Sequence, residues 1–449
     1  GHAECIVSRD AYGHLREAPE LMQHYDPTSV AAREMICHCI DEIIAVIRPA
    51  RLFHLGGDEV WELGKSERLR CRVAEHGLGQ IYLDHLTPIL EHVKTHGLQP
   101  MLWHDMVMGA PSLLDRLDHG TVLVDWDYQT AEARTQAMRI WGWERDVVLT
   151  GQPNPLVTWA KYRDMAGPVF RQRFERFAVD AVTRQNGTFP AMYTTDALAA
   201  EKFPVVTASA ARCWGDAVGV SNTAHHSANA WLSARKGAQV RGNIVTSWAV
   251  RHGHPLLDLP TLTAARHGAQ SGAAYDWDKE MATFAQTRHG LQKPDFADII
   301  SKACQSLGVL RSCTHTGVPA DVRAGRGAAD AWLTRLDRDF DGREAACRRL
   351  HQLAADFSTA HDALVVCKGT AQANAEELSY WIEGVAHSLL VVEAVCALAE
   401  DRSADLEALL AERLPARKAA TRALFAATYA PASVEEELAL RYHALELLA

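Results

Sequence analysis

A chain of 449 residues exceeds the roughly 250–300 residues at which single hydrophobic cores stop growing, so one large barrel with an appendage, or two to three domains, is expected. Its composition, 48% hydrophobic and 23% charged, excludes a disordered or fibrous chain. A net charge of -10 argues against a nucleic-acid partner, whose phosphates select basic faces, and suits a neutral small molecule or glycan. No run approaches the ~20 apolar residues of a membrane span, and no apolar signal core opens the chain, so no membrane partner is expected. The ten cysteines form no CxxC pair or regular framework, which favours free thiols over disulfides and a cytoplasmic location.

In chain order, apolar residues at three- and four-residue spacing predict helices over Pro27–Ile47 and Ser66–His96. Short β-branched or apolar runs predict strands over Arg51–Gly57, Gln99–Asp105, Thr121–Tyr128, Pro204–Ala211 and Gly242–Ala249. Strands alternating with helices are the mark of βα units and a parallel sheet, and the expected fold is an α/β (β/α)8 TIM barrel. Only five of its strands are legible, so the first strands are expected to be missing upstream of Gly1. This catalytic barrel domain is expected over residues 1–273.

Residues 274–449 are expected to form a C-terminal all-α domain. Short helices are predicted over Tyr275–Gly290 and Ala297–Leu307, then a Gly- and Pro-punctuated connection over Gly317–Gly327. Longer ones follow over Ala328–Phe357, Ala360–Ala399, Ala404–Tyr429 and Val434–Leu448. No catalytic constellation appears there, so this region is read as packing, or as the contact of a homodimer.

The most informative run is Arg51-Leu-Phe-His-Leu-Gly-Gly-Asp-Glu-Val-Trp61. An apolar strand ends in two glycines, which permit a sharp turn close to a ligand, and then in two adjacent carboxylates. Like charges raise one another's proton affinity, so one acid of the pair is expected to stay protonated near neutral pH and serve as a general acid. The plainer reading, a turn that caps the next helix, carries comparable weight on composition alone.

The full string His54-Leu-Gly-Gly-Asp-Glu-Val60 closely resembles the motif of family 20 glycoside hydrolases, the β-N-acetylhexosaminidases. Further likeness follows in order along residues 1 to 260. Gly1-His2-Ala3-Glu4 with Tyr12–Glu17 looks like the hexosaminidase D-like branch, Trp103-His-Asp105-Met106 is similar to the fifth-strand Trp-x-Asp-Met, and Val124–Tyr128 and Thr246–Trp248 resemble the sixth- and eighth-strand motifs.

The resemblance implies exo-acting removal of terminal β-linked N-acetylhexosamine from a glycan or glycoconjugate, with retention and no cofactor. It makes Glu59 the acid and then the base, while Asp58 orients the 2-acetamido group that attacks the anomeric carbon. Tyr128 is a candidate donor to the acetamido oxygen, and Trp103, Trp126 and Trp248 are candidate walls of the sugar pocket. His54 and His2 are candidates to bond a hydroxyl or orient a carboxylate. Asp105, Asp127 and Glu4 are candidates for binding hydroxyls or supporting the pair, and Trp214 and Asp216 for the rim.

Two other readings remain open. A metal hydrolase would draw on His54, Asp58, His104, Asp105, His252 and His254, although His252 and His254 sit in an expected loop. A non-catalytic glycan-binding protein or inactive remnant would follow if the barrel were incomplete, because no residue is assigned to the arginine with which family members grip sugar hydroxyls.

Overall fold

The computed structural model describes residues 2–47, 50–141, 155–213, 222–248, 253–305, 333–334, 336–337 and 340–448. Trp214, Asp216, His252 and the predicted connection over Gly317–Gly327 lie outside the described residues. The chain forms two compact units, Gly1–Ala208 with Ser233–Ile244, and Ser209–Leu232 with Val245–Ala449.

Nine strands are described: β1 (Leu52–His54), β2 (Gln99–Trp103), β3 (Val122–Trp126), β4 (Arg134–Thr135), β5 (Ala137–Arg139), β6 (Leu156–Thr158), β7 (Phe189–Pro190), β8 (Val205–Arg212) and β9 (Asn243–Ser247). The five predicted runs are β1, β2, β3, β8 and β9, and they make one sheet in that order. Three adjacent pairs, β1–β2, β2–β3 and β3–β8, are parallel, registered through His54 with Met101, Trp103 with Val124, and Trp126 with Ala208. Consecutive buried residues in β3 and β8 explain why these runs read as continuous rather than alternating: strands covered on both faces have no solvent side. The chain is therefore α/β, with many helices and a five-stranded sheet in which β1–β2, β2–β3 and β3–β8 pair in parallel.

Two helices of the first unit start where the sequence provides caps. The Ser29 hydroxyl accepts from the Ala32 amide before helix Val30–Val46, and that of Ser66 accepts from Leu69 before Glu67–Thr95. The expected single helix over Ser66–His96 is broken at Gly77, whose φ of 76° and ψ of 159° are not helical. Its remainder buries Ile81, Tyr82, Leu86, Ile89, Leu90 and Val93.

Between β3 and β8 lie two antiparallel ribbons that the sequence reading did not anticipate, β4 with β7 and β5 with β6. The first is held by Arg134, which donates to both carboxylate oxygens of Asp180 at 2.8 and 2.9 Å.

In the second unit the helices are Trp277–His289, Phe296–Ala303, Arg343–Thr370, Glu377–Ala399, Ser403–Phe425 and Pro431–Glu446, besides others nearer its start. The expected break between Phe357 and Ala360 is absent. Leu350, Leu353, Phe357, Ala360, Leu364 and Cys367 continue one buried stripe at helical spacing, and the chain turns only after Thr370. Helix Glu377–Ala399 corrects a second expectation, since by length and composition it could cross a membrane. Most of it is buried among its neighbours, and it carries Glu383, which takes a hydrogen bond from Arg441 at 2.8 Å. Among the described residues the cysteines are unbridged.

Candidate active site

β1 delivers the motif. After His54 the backbone stays on the sheet for one more step, with Leu55 donating to Met101 and Gly56 accepting from Trp103. It then turns through Gly56 and Gly57 at φ of 73° and 83°, a region that disfavours side chains. Gly57 is further constrained by Tyr82, whose hydroxyl donates to the Gly57 carbonyl at 2.6 Å. A Cβ at Gly57 would lie 2.7 Å from that hydroxyl oxygen. Glu59 is also left-handed, at φ of 49°, a conformation costing a non-glycine residue about 1–2 kcal/mol. Its amide donates to Asp105 Oδ2 at 3.0 Å, which supports this turn.

Asp105 follows β2 and is fully buried. Burial, with the Asp58 charge beside it, pushes its carboxyl up to about 7. The acid with raised proton affinity is thus Asp105, which lies outside the adjacent pair of which one member was expected to stay protonated. Asp58 moves the other way: burial opposes its charge, but the hydrogen bond from His2 holds it below the ordinary carboxylate range. The sequence argument from mutual repulsion fails for Asp58 because a cation sits on the pair. His2 Nε2 lies 3.3 Å from Asp58 Oδ2 and 3.4 Å from Glu59 Oε2, while its Nδ1 is 3.7 Å from Glu4. Those carboxylates raise the His2 imidazole to about 10, with Asp58 contributing most.

His54 is half-buried. Its Nδ1 accepts from the Gly56 amide at 3.0 Å, which leaves the proton on Nε2, and its ring lies 4.5 Å from that of Trp103. Burial lowers its basicity, so it stays neutral at neutral pH. Trp126 stacks on Tyr128 at 5.2 Å and meets Trp141 edge-on at 5.2 Å. Asp127 accepts from the Gln129 and Thr130 amides and the Thr130 hydroxyl, so its carboxylate shapes the turn after β3. Burial raises its proton affinity.

A cavity of about 180 Å³ is lined by Trp126, Asp127, Met138, Arg139, Trp141 and Tyr193, among others. Asp58 and Glu59 do not line it, but Arg139 connects the two regions electrostatically. Burial pulls its guanidinium below the usual range, against the attraction of Asp127 and Glu59. The guanidinium stands 5.9 Å from the Trp126 ring and 5.4 Å from that of Trp141. Sequence reasoning passed over Arg139, Trp141 and Tyr193. Arg139 belongs to no motif, and its strand pairs with residues far along the chain.

The suggested metal ligands are engaged separately. His104 is fully buried with Nε2 3.1 Å from Asp125, and His254 stacks on Tyr380 within the second unit. Trp248 follows β9 in the second unit, where its amide donates to the Arg212 carbonyl at 3.0 Å.

The segment that carries the two strand-end carboxylates has a counterpart among known families. The family described as glycosyl hydrolase family 20, catalytic domain, matches residues 10–164. This segment is similar to the catalytic domain of that family over about a third of the chain. It contains the motif from His54 to Val60 together with Trp103, Asp105 and Trp126–Tyr128, whereas His2, Glu4 and Trp248 lie outside it. Hexosaminidase D of Bos taurus is 28% identical over 137 residues, covering 28% of this chain and 39% of that protein. Hexosaminidase D of Homo sapiens is likewise 28% identical over 137 residues, covering 28% of each. The chain thus resembles hexosaminidase D while spanning well under half the length of these curated relatives.

Proposed function

We propose that this glycoside hydrolase family member is a retaining β-N-acetylhexosaminidase that acts on terminal, non-reducing β-linked residues of a glycan or glycoconjugate within a (β/α)8 barrel. The observation that carries the reading is the Asp58–Glu59 pair under His2, in which Asp58 is held ionised. An ionised Asp58 can accept a hydrogen bond from the acetamido N–H, turn the carbonyl oxygen toward the anomeric carbon, and stabilise the positive charge that develops on the oxazolinium-like intermediate. Glu59, the more exposed of the two, protonates the departing oxygen and then deprotonates the attacking water.

The surroundings support this division. Asp105 holds the Glu59 amide, so the acid projects from a fixed turn. Trp103 and Trp126 offer indole faces to the sugar and the acetamido methyl, Tyr128 offers its hydroxyl to the acetamido oxygen, and the His54 Nε2 proton offers a bond to a ring hydroxyl. The mechanism predicts that replacing the acetamido group of a chromogenic β-N-acetylglucosaminide by trifluoroacetamido, a weaker nucleophile, slows hydrolysis by more than tenfold. Equal rates on the two substrates would exclude participation of the acetamido group, and hydrolysis of neither would exclude the enzyme reading.

A further inference from the structure

Two histidines at the end of helix Glu67–Thr95 and an aspartate of helix Val30–Val46 converge away from the carboxylate pair. His92 Nε2 lies 2.7 Å from Asp41 Oδ1, and His96 Nε2 lies 2.8 Å from the same oxygen. The two imidazoles, four residues apart, occupy one face across a helical turn, with ring centroids 5.1 Å apart. The three donor atoms all fall within 4.8 Å of one another.

We propose that Asp41, His92 and His96 form a binding site for one divalent transition-metal ion, best suited to zinc, that clips these two helices together. Two imidazole nitrogens and one carboxylate oxygen form a donor set of borderline softness, which favours zinc, nickel or copper over magnesium or calcium. Tetrahedral zinc with bonds of about 2.0–2.1 Å places its ligands roughly 3.3 Å apart, so each nitrogen withdraws from Asp41 by about half an ångström while the two nitrogens, within 4.8 Å of one another, settle to the same separation. The side chains are 27%, 28% and 46% exposed for His92, His96 and Asp41, which leaves an entry path and room for water in a fourth position. The site has no part in the hydrolytic chemistry. His96 just precedes β2 while Asp105 just follows it, so the two lie toward opposite ends of that strand.

The test uses the whole chain, stripped with a chelator and dialysed, and titrated calorimetrically with zinc chloride, nickel chloride and magnesium chloride. The proposal expects one zinc per chain at micromolar affinity or tighter, a rise in melting temperature with zinc and nickel, and neither effect with magnesium. His92→Ala and Asp41→Ala should each weaken zinc binding at least tenfold. The double variant His92→Gln/His96→Gln, whose amides can still donate to Asp41, should melt near the metal-free wild type yet lose the stoichiometric zinc. Absence of stoichiometric zinc in the wild type, or its persistence in the double variant, overturns the proposal.

Discussion

Asp105→Asn keeps an oxygen within reach of the Glu59 amide but removes a buried charge. On folding the carboxyl moves from 3.8 to about 7, because burial and the neighbouring Asp58 both oppose ionisation. At about 1.36 kcal/mol per pKa unit, ionising it costs the folded chain about 4 kcal/mol more than the unfolded one. The folded state therefore holds the proton more tightly, and the contribution of this group is fully present below about pH 4, declines as pH rises, and levels off above about pH 7. The variant escapes that cost and loses only the difference between a carboxylate and an amide acceptor, about 1 kcal/mol. Denaturant melts near pH ~5 and pH ~8 should show its stability relative to wild type rising with pH, to a net gain of a few kcal/mol at the upper value. A variant destabilised equally at both would refute the reasoning, since Asp105 would then be ionised throughout and valued for its charge.

Removing the imidazole by His2→Ala takes away the main influence holding Asp58 ionised, so the acidic limb of the pH profile of kcat/KM should move to higher pH; an unmoved limb would contradict the contact. Gly57→Ala combines a φ of 83° with a Cβ 2.7 Å from the Tyr82 oxygen, and should cost about 1–3 kcal/mol in a thermal melt. Adding Tyr82→Phe should recover part of that loss, leaving the backbone strain; a strictly additive double variant would show that the hydroxyl does not crowd the site.

The parallel strands were legible because their local sequence carries the signal: apolar runs such as Val122–Trp126 and Val205–Arg212 read as strands without knowledge of their partners. The motif was legible for the same reason, since both glycines and both carboxylates stand in one run. What could not be read depends on residues far apart in sequence. Ribbons of two or three residues acquire identity only when Arg134 meets Asp180, or when Ala137 pairs with Thr158. Glu59 adopts a conformation expected of glycine, and an aspartate just past the next strand accepts its amide. The sign of the Asp58 shift likewise depended on His2, a residue the motif does not contain. The sequence reading divided the continuous helix Arg343–Thr370 between Phe357 and Ala360, both of which belong to the buried stripe that runs through it.

The central claim assigns different tasks to two neighbouring carboxylates, and one kinetic comparison tests it most directly. Wild type, Glu59→Gln and Asp58→Asn would be assayed on β-N-acetylglucosaminides with good and poor leaving groups. The account predicts that Glu59→Gln loses at least a hundredfold on the poor leaving group and far less on the good one, because only the former requires the proton. It predicts that Asp58→Asn loses activity on both, since the acetamido group attacks in either case. Activity of Glu59→Gln equal to wild type on the poor leaving group, or indifference of the enzyme to Asp58→Asn, would contradict it.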